Sequence, residues 1–150
     1  MPTVHAAPLR ELDPKILYAI LRLRVDVFVV EQRCPYPELD GRDLERSALQ
    51  LWAADDAGTI LATLRLLADG EGVRRIGRVV TAPSQRGSGL GAVLMERAIS
   101  LAGPAAIVLD AQSHLQGWYE RFGFVRSGAE FLEDGIPHVP MRRAVGGDQG

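Results

Sequence analysis

A glycine-rich turn between a predicted strand and a predicted helix, at residues 81–91, constrains this chain more than any other feature. Before it, residues 75–80 are largely apolar and β-branched, which predicts a buried strand. After it, apolar residues recur at the spacing of one helix face, at Leu90, Val93, Leu94, Ala98 and Leu101. Glycines let backbone N–H groups approach a ligand closely, and the start of a helix adds a partial positive charge. The turn therefore predicts a phosphate cradle for a ligand that carries a nucleotide.

Length and composition predict a single domain with a full core, since 47% of the 150 residues are hydrophobic. The 17 basic and 19 acidic residues are mixed along the chain and leave a net charge of −2, which disfavours nucleic acid or a membrane as a partner. The single cysteine, Cys34, excludes an internal disulfide and fits a reducing compartment. No apolar run reaches the roughly 18 residues of a membrane span, and residues 1–5 lack a signal-peptide pattern, so a cytoplasmic location is expected.

The hydrophobic pattern predicts the other elements. Asp13 and Pro14 have the pattern of a helix start, and the helical stripe that follows ends before Pro35. Strands, the last two paired as a hairpin, are expected at residues 49–53, 60–67, 73–81, 105–109, 124–130 and 136–143. The predicted fold is α/β (mixed α+β), with a central mixed sheet of about six or seven strands flanked by helices. Residues 1–145 are expected to form this domain and residues 146–150 a flexible tail.

The glycine turn is compatible with two ligand-binding motifs. Gly87, Gly89 and Ala92 satisfy the dinucleotide fingerprint, and Asp110 ends the next predicted strand, where an acid that binds ribose is expected. In that motif the first glycine follows its strand almost at once, whereas several residues intervene here. Only one strand–helix–strand unit is evident, and it follows a hairpin that the pattern predicts for the strands at residues 49–53 and 60–67. The dinucleotide interpretation is therefore the less favoured one.

The second pattern is Arg86-x-x-Gly89-x-Gly91, which resembles the pyrophosphate loop of the GNAT acetyltransferase superfamily, a loop that grips coenzyme A. The resemblance covers nearly the whole chain, and the predicted order of strands and helices is also the order of that fold. Residues 109–124 resemble the second acetyl-CoA motif of the superfamily. Within it Tyr119, Gly123 and Phe124 match, whereas Gln112 and Leu115 replace the usual asparagine and alanine.

Four blocks of sequence resemble the ElaA-like subgroup of that superfamily. They follow one another in the subgroup's order, at residues 27–36, 76–80, 111–116 and 133–138. Within this subgroup Gln112 and Leu115 are ordinary residues. The resemblance implies a GNAT-like fold, acetyl-CoA as co-substrate and no metal, and it does not identify an acceptor.

The resemblance also implies which residues contact the coenzyme. The thioester oxygen is expected to accept a hydrogen bond from a backbone N–H of residues 79–81, where the strand splays from its neighbour. The Arg86 side chain is expected to complement pyrophosphate. The full expected set is Val79, Val80, Thr81, Arg86, Gly87, Ser88, Gly89, Leu90, Gly91 and Gln112.

Acyl transfer from a thioester to an amine needs an acid for the leaving thiolate and a base for the amine. The motif match makes Tyr119 the expected acid because a phenol is protonated at neutral pH, although its spacing alone fits a core aromatic residue. Glu31, directly or through water, and His138 are the candidate bases. A solvated or structurally partnered side chain is an equally good interpretation for His138 and for His114.

The segment after the first helix carries acids that either form a solvated face or attract a cationic amine, namely Glu38, Asp40, Asp43 and Glu45. In the GNAT fold the acceptor enters opposite the coenzyme, beside this segment and residues 134–138. Arg78 has no expected role. Cys34 as a covalent acyl carrier is less favoured than direct transfer, because nothing near it in sequence marks an activated thiol.

Together these features predict an acyl-CoA-dependent N-acyltransferase, most simply one that transfers acetyl from acetyl-CoA to a primary amine by direct attack. The acceptor is expected to be a small-molecule or peptide amine, and a homodimer is compatible with the sequence. A non-catalytic protein that senses acyl-CoA would keep the phosphate loop yet tolerate the loss of Tyr119. An NAD-binding domain is the third interpretation.

Overall fold

The computed structural model describes residues 2–144, so the expected tail at residues 146–150 lies outside the described residues. The helices are α1 (Pro14–Val25), α2 (Leu90–Ala102) and α3 (Gln116–Glu120), and a π-helical turn (Asp26–Glu31) follows α1 directly. Within residues 2–144, no helix is both long enough and apolar enough to cross a membrane. A single sheet contains eight strands, β1 (Thr3–Ala7), β2 (Leu49–Ala54), β3 (Ile60–Ala68), β4 (Arg74–Thr81), β5 (Ile107–Gln112), β6 (Val125–Arg126), β7 (Phe131–Glu133) and β8 (Ile136–Arg143).

This architecture confirms the predicted mixed α/β class. The strand order is β1-β2-β3-β4-β5-β8-β6, and β7 also pairs with β8. Every pairing is antiparallel except that of β4 with β5. A dinucleotide-binding fold needs a doubly wound, mostly parallel sheet, so that interpretation of the glycine turn is wrong. Asp110, its expected ribose ligand, instead pairs with Arg75 at 3.2 Å.

The helices α1 and α2 cover opposite faces of the sheet. In β2, Leu51 and Ala53 belong to the buried cluster that contains α2, whereas Trp52 belongs to the cluster that contains α1. The alternation follows from the two-residue side-chain period of a strand. Because both faces of β2 and β3 are covered, their sequences are nearly continuous apolar runs.

The start of α1 agrees with its sequence pattern, and its end does not. The Asp13 carboxylate accepts a hydrogen bond from the Lys15 N–H at 2.8 Å, and Pro14 is the first helical residue. From Asp26 the helix widens into the π-helical turn, whereas the apolar stripe predicts one regular helix. Turns of this kind are rare and frequently lie at functional sites.

The centre of the sheet opens between β4 and β5. The two strands pair only at Arg74 with Ile107 and at Arg75 with Val108, after which they diverge. On its other side β4 stays paired with β3 as far as Thr81. The predicted splay of the strand at residues 79–81 is therefore present, and it leaves a gap in the middle of the sheet.

The last hairpin differs from its predicted form. It contributes β7, and together with β1 before the first helix this gives eight strands where about six or seven were expected. The partner of β8 around the turn is β7, whereas only Val125 and Arg126 of the predicted 124–130 strand pair with β8. Asp134 and Gly135 form the turn with φ values of 51° and 81°. Positive φ at both central residues is the requirement of a tight two-residue hairpin turn, which Asp-Gly satisfies.

Candidate active site

Two neighbouring cavities meet beside the gap between β4 and β5. The first, here called the phosphate-loop groove, has a volume of about 790 Å³ and runs between the π-helical turn, the end of β4, the start of α2 and α3. The second, here called the polar cavity, has a volume of about 480 Å³ and is bounded by β3, β4, β5 and the β7–β8 turn. Residues that line both are Phe28, Gln32, Val79, Gln112, Leu115 and Tyr119. Ligands in the two cavities would therefore meet at a shared wall.

The phosphate loop has the backbone conformation that its glycines predict. Gly87 and Gly89 have φ values of 83° and 87°, which residues other than glycine rarely adopt. Gly89 directly precedes α2, whose first N–H groups have no acceptor within the helix. Gly91 has no such requirement, because a Cβ there would make ordinary contacts, 3.4 Å from the Trp118 ring and 3.5 Å from Thr81 Oγ1. The loop thus presents unpaired N–H groups beside the groove.

Nine of the expected coenzyme contacts line the groove, namely Val79, Val80, Thr81, Arg86, Gly87, Gly89, Leu90, Gly91 and Gln112. The tenth, Ser88, does not line it, and its N–H donates to the Gln85 carbonyl at 3.1 Å within the loop. Gln112 also donates a long hydrogen bond of 3.4 Å to Gln32. The expected set is therefore gathered on one wall, apart from Ser88.

The Arg86 guanidinium is already paired. It donates to both carboxylate oxygens of Glu31, at 2.6 and 2.7 Å, and both side chains are about half exposed. The hydrogen bonds from Arg86 lower the pKa of Glu31, which makes its carboxylate a weaker base. Glu31 also lines the groove and not the polar cavity. This geometry favours His138 over Glu31 as the base.

The gap between β4 and β5 exposes backbone donors. The N–H of Ala82 donates to the Leu61 carbonyl of β3 at 2.8 Å. Since N–H groups alternate sides along a strand, the N–H of Thr81 points away from β3, into the gap. The same alternation directs the N–H of Val79 there. These are the donors that the sequence predicts for a thioester oxygen.

Tyr119 is both a core residue and part of the shared wall. Its ring packs edge-on against Trp118, with centroids 4.9 Å apart, and it belongs to the main buried cluster. Its side chain is 7% exposed, and burial raises the pKa of the phenol above its ordinary value. The group therefore stays protonated at neutral pH, as an acid requires. The core interpretation and the catalytic one are compatible.

His138 faces the polar cavity with a defined ring orientation. The ring stacks on Phe131, and Nδ1 lies 2.7 Å from the carbonyl oxygen of Ile136. A carbonyl oxygen only accepts, so Nδ1 carries the hydrogen and Nε2 of the neutral ring keeps a lone pair. In the sheet His138 is the register partner of Gln112. His138 is thus suited to accept a proton from an amine in the cavity.

The acids expected to attract an amine are all paired with arginines, and two of the four are buried, which corrects that interpretation. Glu38 and Asp43 are 3% and 6% exposed. Arg24 of α1 donates to Glu38 at 2.6 Å and to Asp43 at 2.8 Å. The Gln50 side chain also donates to Asp43 at 2.8 Å. These carboxylates anchor the segment after the π-helical turn and offer no free charge to a ligand.

The remaining acids of that segment are paired as well. Arg65 of β3 donates to Asp40 through two nitrogens, at 2.7 and 2.9 Å, and these bonds hold the pKa of Asp40 well below its usual range. Arg78 adds a hydrogen bond to Asp40 at 3.3 Å. Glu45 pairs with Arg42 at 2.8 Å. In the polar cavity, Glu133 and Asp134 have no ion pair among the described residues.

Sequence reasoning missed the basic half of this ion network, which is Arg24, Arg65 and Arg78. A signal was present for Arg65, because it lies inside a strand whose other residues, apart from Thr63, are apolar, and a charge there needs buried partners. Cys34 is buried, lines the polar cavity and donates to the Asp134 carbonyl at 3.4 Å. No group of three or more potential metal ligands occurs within residues 2–144.

Comparisons with known proteins identify the family of this chain. The sequence matches the acetyltransferase (GNAT) domain family over residues 24–145. It is 49% identical to a UPF0039 protein of Mycobacterium tuberculosis over 141 residues, which covers 92% of this chain and 90% of that protein. It is 38% identical to protein ElaA of Escherichia coli over 143 residues, which covers 90% of this chain and 92% of ElaA.

A solved structure has the same fold. The crystal structure of an acyl-CoA N-acyltransferase from Pseudomonas aeruginosa superposes with a TM-score of 0.90 at 47% identity, over 96% of this chain and 100% of that chain. The resemblance inferred from the phosphate loop and the ElaA-like blocks is thus confirmed. This chain belongs to the GNAT acetyltransferase superfamily, with ElaA among its relatives.

Proposed function

We propose that this protein transfers an acetyl group from acetyl-CoA to a primary amine by direct attack. The observation that carries the proposal is the shared wall, where a groove with a phosphate loop meets a polar cavity at Val79, Gln112 and Tyr119. A thioester held from one side and an amine held from the other would meet there, and such juxtaposition supplies a large part of the rate. The Pseudomonas aeruginosa acyl-CoA N-acyltransferase supports the same reaction class.

Each chemical step has a residue suited to it. His138 Nε2 takes a proton from the ammonium group, and the freed amine nitrogen forms a bond to the thioester carbonyl carbon. The N–H groups of Val79 and Thr81 donate to the oxygen as it gains negative charge. Tyr119 then gives its proton to the leaving sulfur as the carbon–sulfur bond breaks, and the second proton that the nitrogen loses on becoming an amide returns to the Tyr119 oxygen. The products are the N-acetyl amine and coenzyme A with a free thiol.

A cationic acceptor is favoured by the lip of the polar cavity. Glu133 and Asp134 lie on the β7–β8 turn beside His138, and neither has an ion pair among the described residues. An ammonium group approaching His138 would pass these carboxylates, which would raise its local concentration. Glu38, Asp40 and Asp43 do not contribute to this attraction, since their charges are balanced by the arginines of the ion network.

A thiol-release screen tests the proposal directly. Acetyl-CoA is incubated with the protein and with primary amines, polyamines, amino acids and peptides, and free thiol is measured. Stabilisation by acetyl-CoA, but not by NAD, is expected in thermal unfolding, because a ligand that binds the folded form raises the melting temperature. Thiol release that depends on one amine class supports transfer. Stabilisation without release from any amine would identify an acyl-CoA sensor instead and reject the enzymatic proposal. Longer acyl-CoA donors in the same assay define the preferred acyl chain.

A further inference from the structure

Arg78 has a left-handed backbone conformation in the middle of β4, with a φ of 54°. Residues with a side chain rarely adopt this conformation and are strained unless their surroundings hold them there. The strand has an extra residue at this point, because β4 advances three residues from Gly77 to Val80 while β3 advances two. This is a β-bulge, a feature that re-aims the groups around it and that frequently lies beside active sites.

The bulge reverses the face of the sheet to which the side chains of the strand point. Ile76 packs in the buried cluster of α2, whereas Val80, four residues later, packs in the buried cluster of α1. In an uninterrupted strand the two side chains would share a face. The conformation of Arg78 therefore sets the direction of the groups that follow it, including the N–H of Val79.

The Arg78 side chain is held by the segment that follows the π-helical turn. Its Nη2 donates to the backbone oxygen of Glu38 at 3.0 Å and to Asp40 Oδ2 at 3.3 Å. Its Nε lies 3.0 Å from Glu38 Oε2, and its Cζ lies 5.5 Å from the centre of the Tyr36 ring. Glu38 is buried and Asp40 is held by two hydrogen bonds from Arg65, so the guanidinium is tied to a well-anchored part of the fold.

We propose that Arg78 is a positioning residue for acyl transfer, because its guanidinium holds the left-handed turn that directs the Val79 N–H toward the thioester oxygen. The inference rests on the proposed function and adds a residue to it. Arg78 acts through the backbone and need not touch the reacting atoms. The same contacts join the oxygen donor to the wall of the polar cavity, where the acceptor is expected.

Two substitutions separate the side chain from the backbone. Arg78→Gly permits the left-handed φ without strain but removes the guanidinium contacts. Arg78→Ala removes the contacts and retains the strain. The matched control is Arg74→Ala, because Arg74 lies on the same strand and lines neither cavity, and among the described residues its side chain donates only to the Leu67 carbonyl, at 3.2 Å. Circular dichroism and the melting temperature identify the variants that fold, and the glycine variant suffices if the alanine variant does not.

The expected result is a loss of kcat with substrate binding retained. With acetyl-CoA and the best amine of the screen, kcat should fall about 10- to 100-fold in both Arg78 variants, while KM for acetyl-CoA stays within about twofold. A second readout needs no acceptor. Infrared spectra of bound acetyl-CoA, labelled with carbon-13 at the thioester carbonyl, should show a shift to lower frequency that both variants lose. If Arg78 only supported the fold, its replacement would not lower kcat selectively and would not move the carbonyl band of bound acetyl-CoA.

Each contrary outcome is distinct. Wild-type kcat and band position in Arg78→Gly overturn the inference, since the left-handed φ would then suffice without the guanidinium. A wild-type protein that binds acetyl-CoA without a band shift overturns it as well. A shifted band with no thiol release from any amine rejects the proposed transfer reaction while the positioning role of Arg78 stands.

Discussion

Glu31 and Arg86 form a two-point ion pair that joins the π-helical turn to the phosphate loop, with N–O distances of 2.6 and 2.7 Å. A guanidinium presents the same fork of donors to a phosphate group. The Glu31 carboxylate is therefore bound to Arg86, the side chain that the sequence predicts to bind pyrophosphate. A ligand whose phosphate binds Arg86 must compete with Glu31.

Glu31→Gln should accordingly tighten coenzyme A binding by about two- to fivefold, since an exposed pair is weak. Isothermal titration calorimetry measures the change, and Glu96→Gln, an exposed acid on α2, is the control. The higher affinity of the variant for coenzyme A should persist near pH 4.5, the ordinary pKa of this carboxyl group, because Arg86 lowers the pKa of Glu31. It should vanish only as the pH falls through that lowered pKa and frees Arg86 in the wild type. Weaker binding by the variant would mean that Glu31 helps to hold the coenzyme.

Tyr119→Phe should lower kcat by about 10²-fold with acetyl-CoA affinity nearly unchanged, because only the hydroxyl is removed. Tyr18→Phe is the control, since the Tyr18 side chain is 72% exposed. Burial raises the pKa of Tyr119, so its deprotonation should not limit activity below about pH 10. Normal turnover, with chemistry shown to be rate-limiting, would leave Tyr119 a core residue only.

His138→Gln should lower kcat/KM for the amine by about 10²-fold and leave acetyl-CoA affinity nearly unchanged, because Nε2 is the group proposed to accept the proton. Steady-state kinetics with the best amine of the screen, together with calorimetric binding of acetyl-CoA, provides the test. His5→Gln is the control, because His5 likewise stacks on an aromatic ring, that of Trp52, but lies on β1. Wild-type kcat/KM in His138→Gln would remove His138 from the proposed mechanism.

Gly89→Val should weaken coenzyme A binding strongly, because the side chain opposes the positive φ that presents the loop N–H groups. Gly58→Val is a close match, since Gly58 has a φ of 85°, Gly89 one of 87°, and a Cβ has open space at both. Both variants should lose about 1–2 kcal/mol of stability from the backbone strain alone. Calorimetry should show a binding defect only in Gly89→Val. Equal affinities would exclude the loop from the binding site.

Arg24→Ala should destabilise the fold by about 3 kcal/mol, because Glu38 and Asp43 would each lose a buried cation. Arg78 still lies 3.0 Å from Glu38 and Arg65 3.2 Å from Asp43, which keeps the loss at the low end for a broken buried pair. The change in the free energy of unfolding is measured with urea. Arg22→Ala is the control, because Arg22 pairs with Asp26 at the surface, where such pairs are worth at most about 1 kcal/mol. A similar small loss in both variants would show that the ion network does not support the fold.

Local sequence signals predicted the phosphate loop well. The left-handed conformation of Gly87 and Gly89 depends on neighbouring residues alone, so the motif carries it. The partner of Arg86 could not be predicted in this way, because Glu31 is 55 residues away in the sequence and meets it only through the fold.

The same limit explains the acids. A run of carboxylates indicates a solvated face when its partners are unknown. Here the three arginines lie on α1, β3 and β4, and only the packing of these elements on one another converts the run into a buried network. The register slip at Arg78 had a partial signal, because the isolated Gly77 inside the strand is typical of a bulge. The contacts that hold Arg78 come from a distant segment and could not be predicted in this way.

The opening between β4 and β5 has a consequence for the cohesion of the molecule. The hydrogen-bonded ladder of the sheet is continuous from β1 to β4 and again from β5 to β8, yet these two halves share only two register pairs. The halves therefore depend on packing, rather than on backbone pairing, to stay together. A molecule that lies in the opening touches both, so its binding energy also opposes their separation. The proposed reaction site is thus also the boundary between the two halves of the sheet, and a ligand bound there would stabilise the protein against their separation.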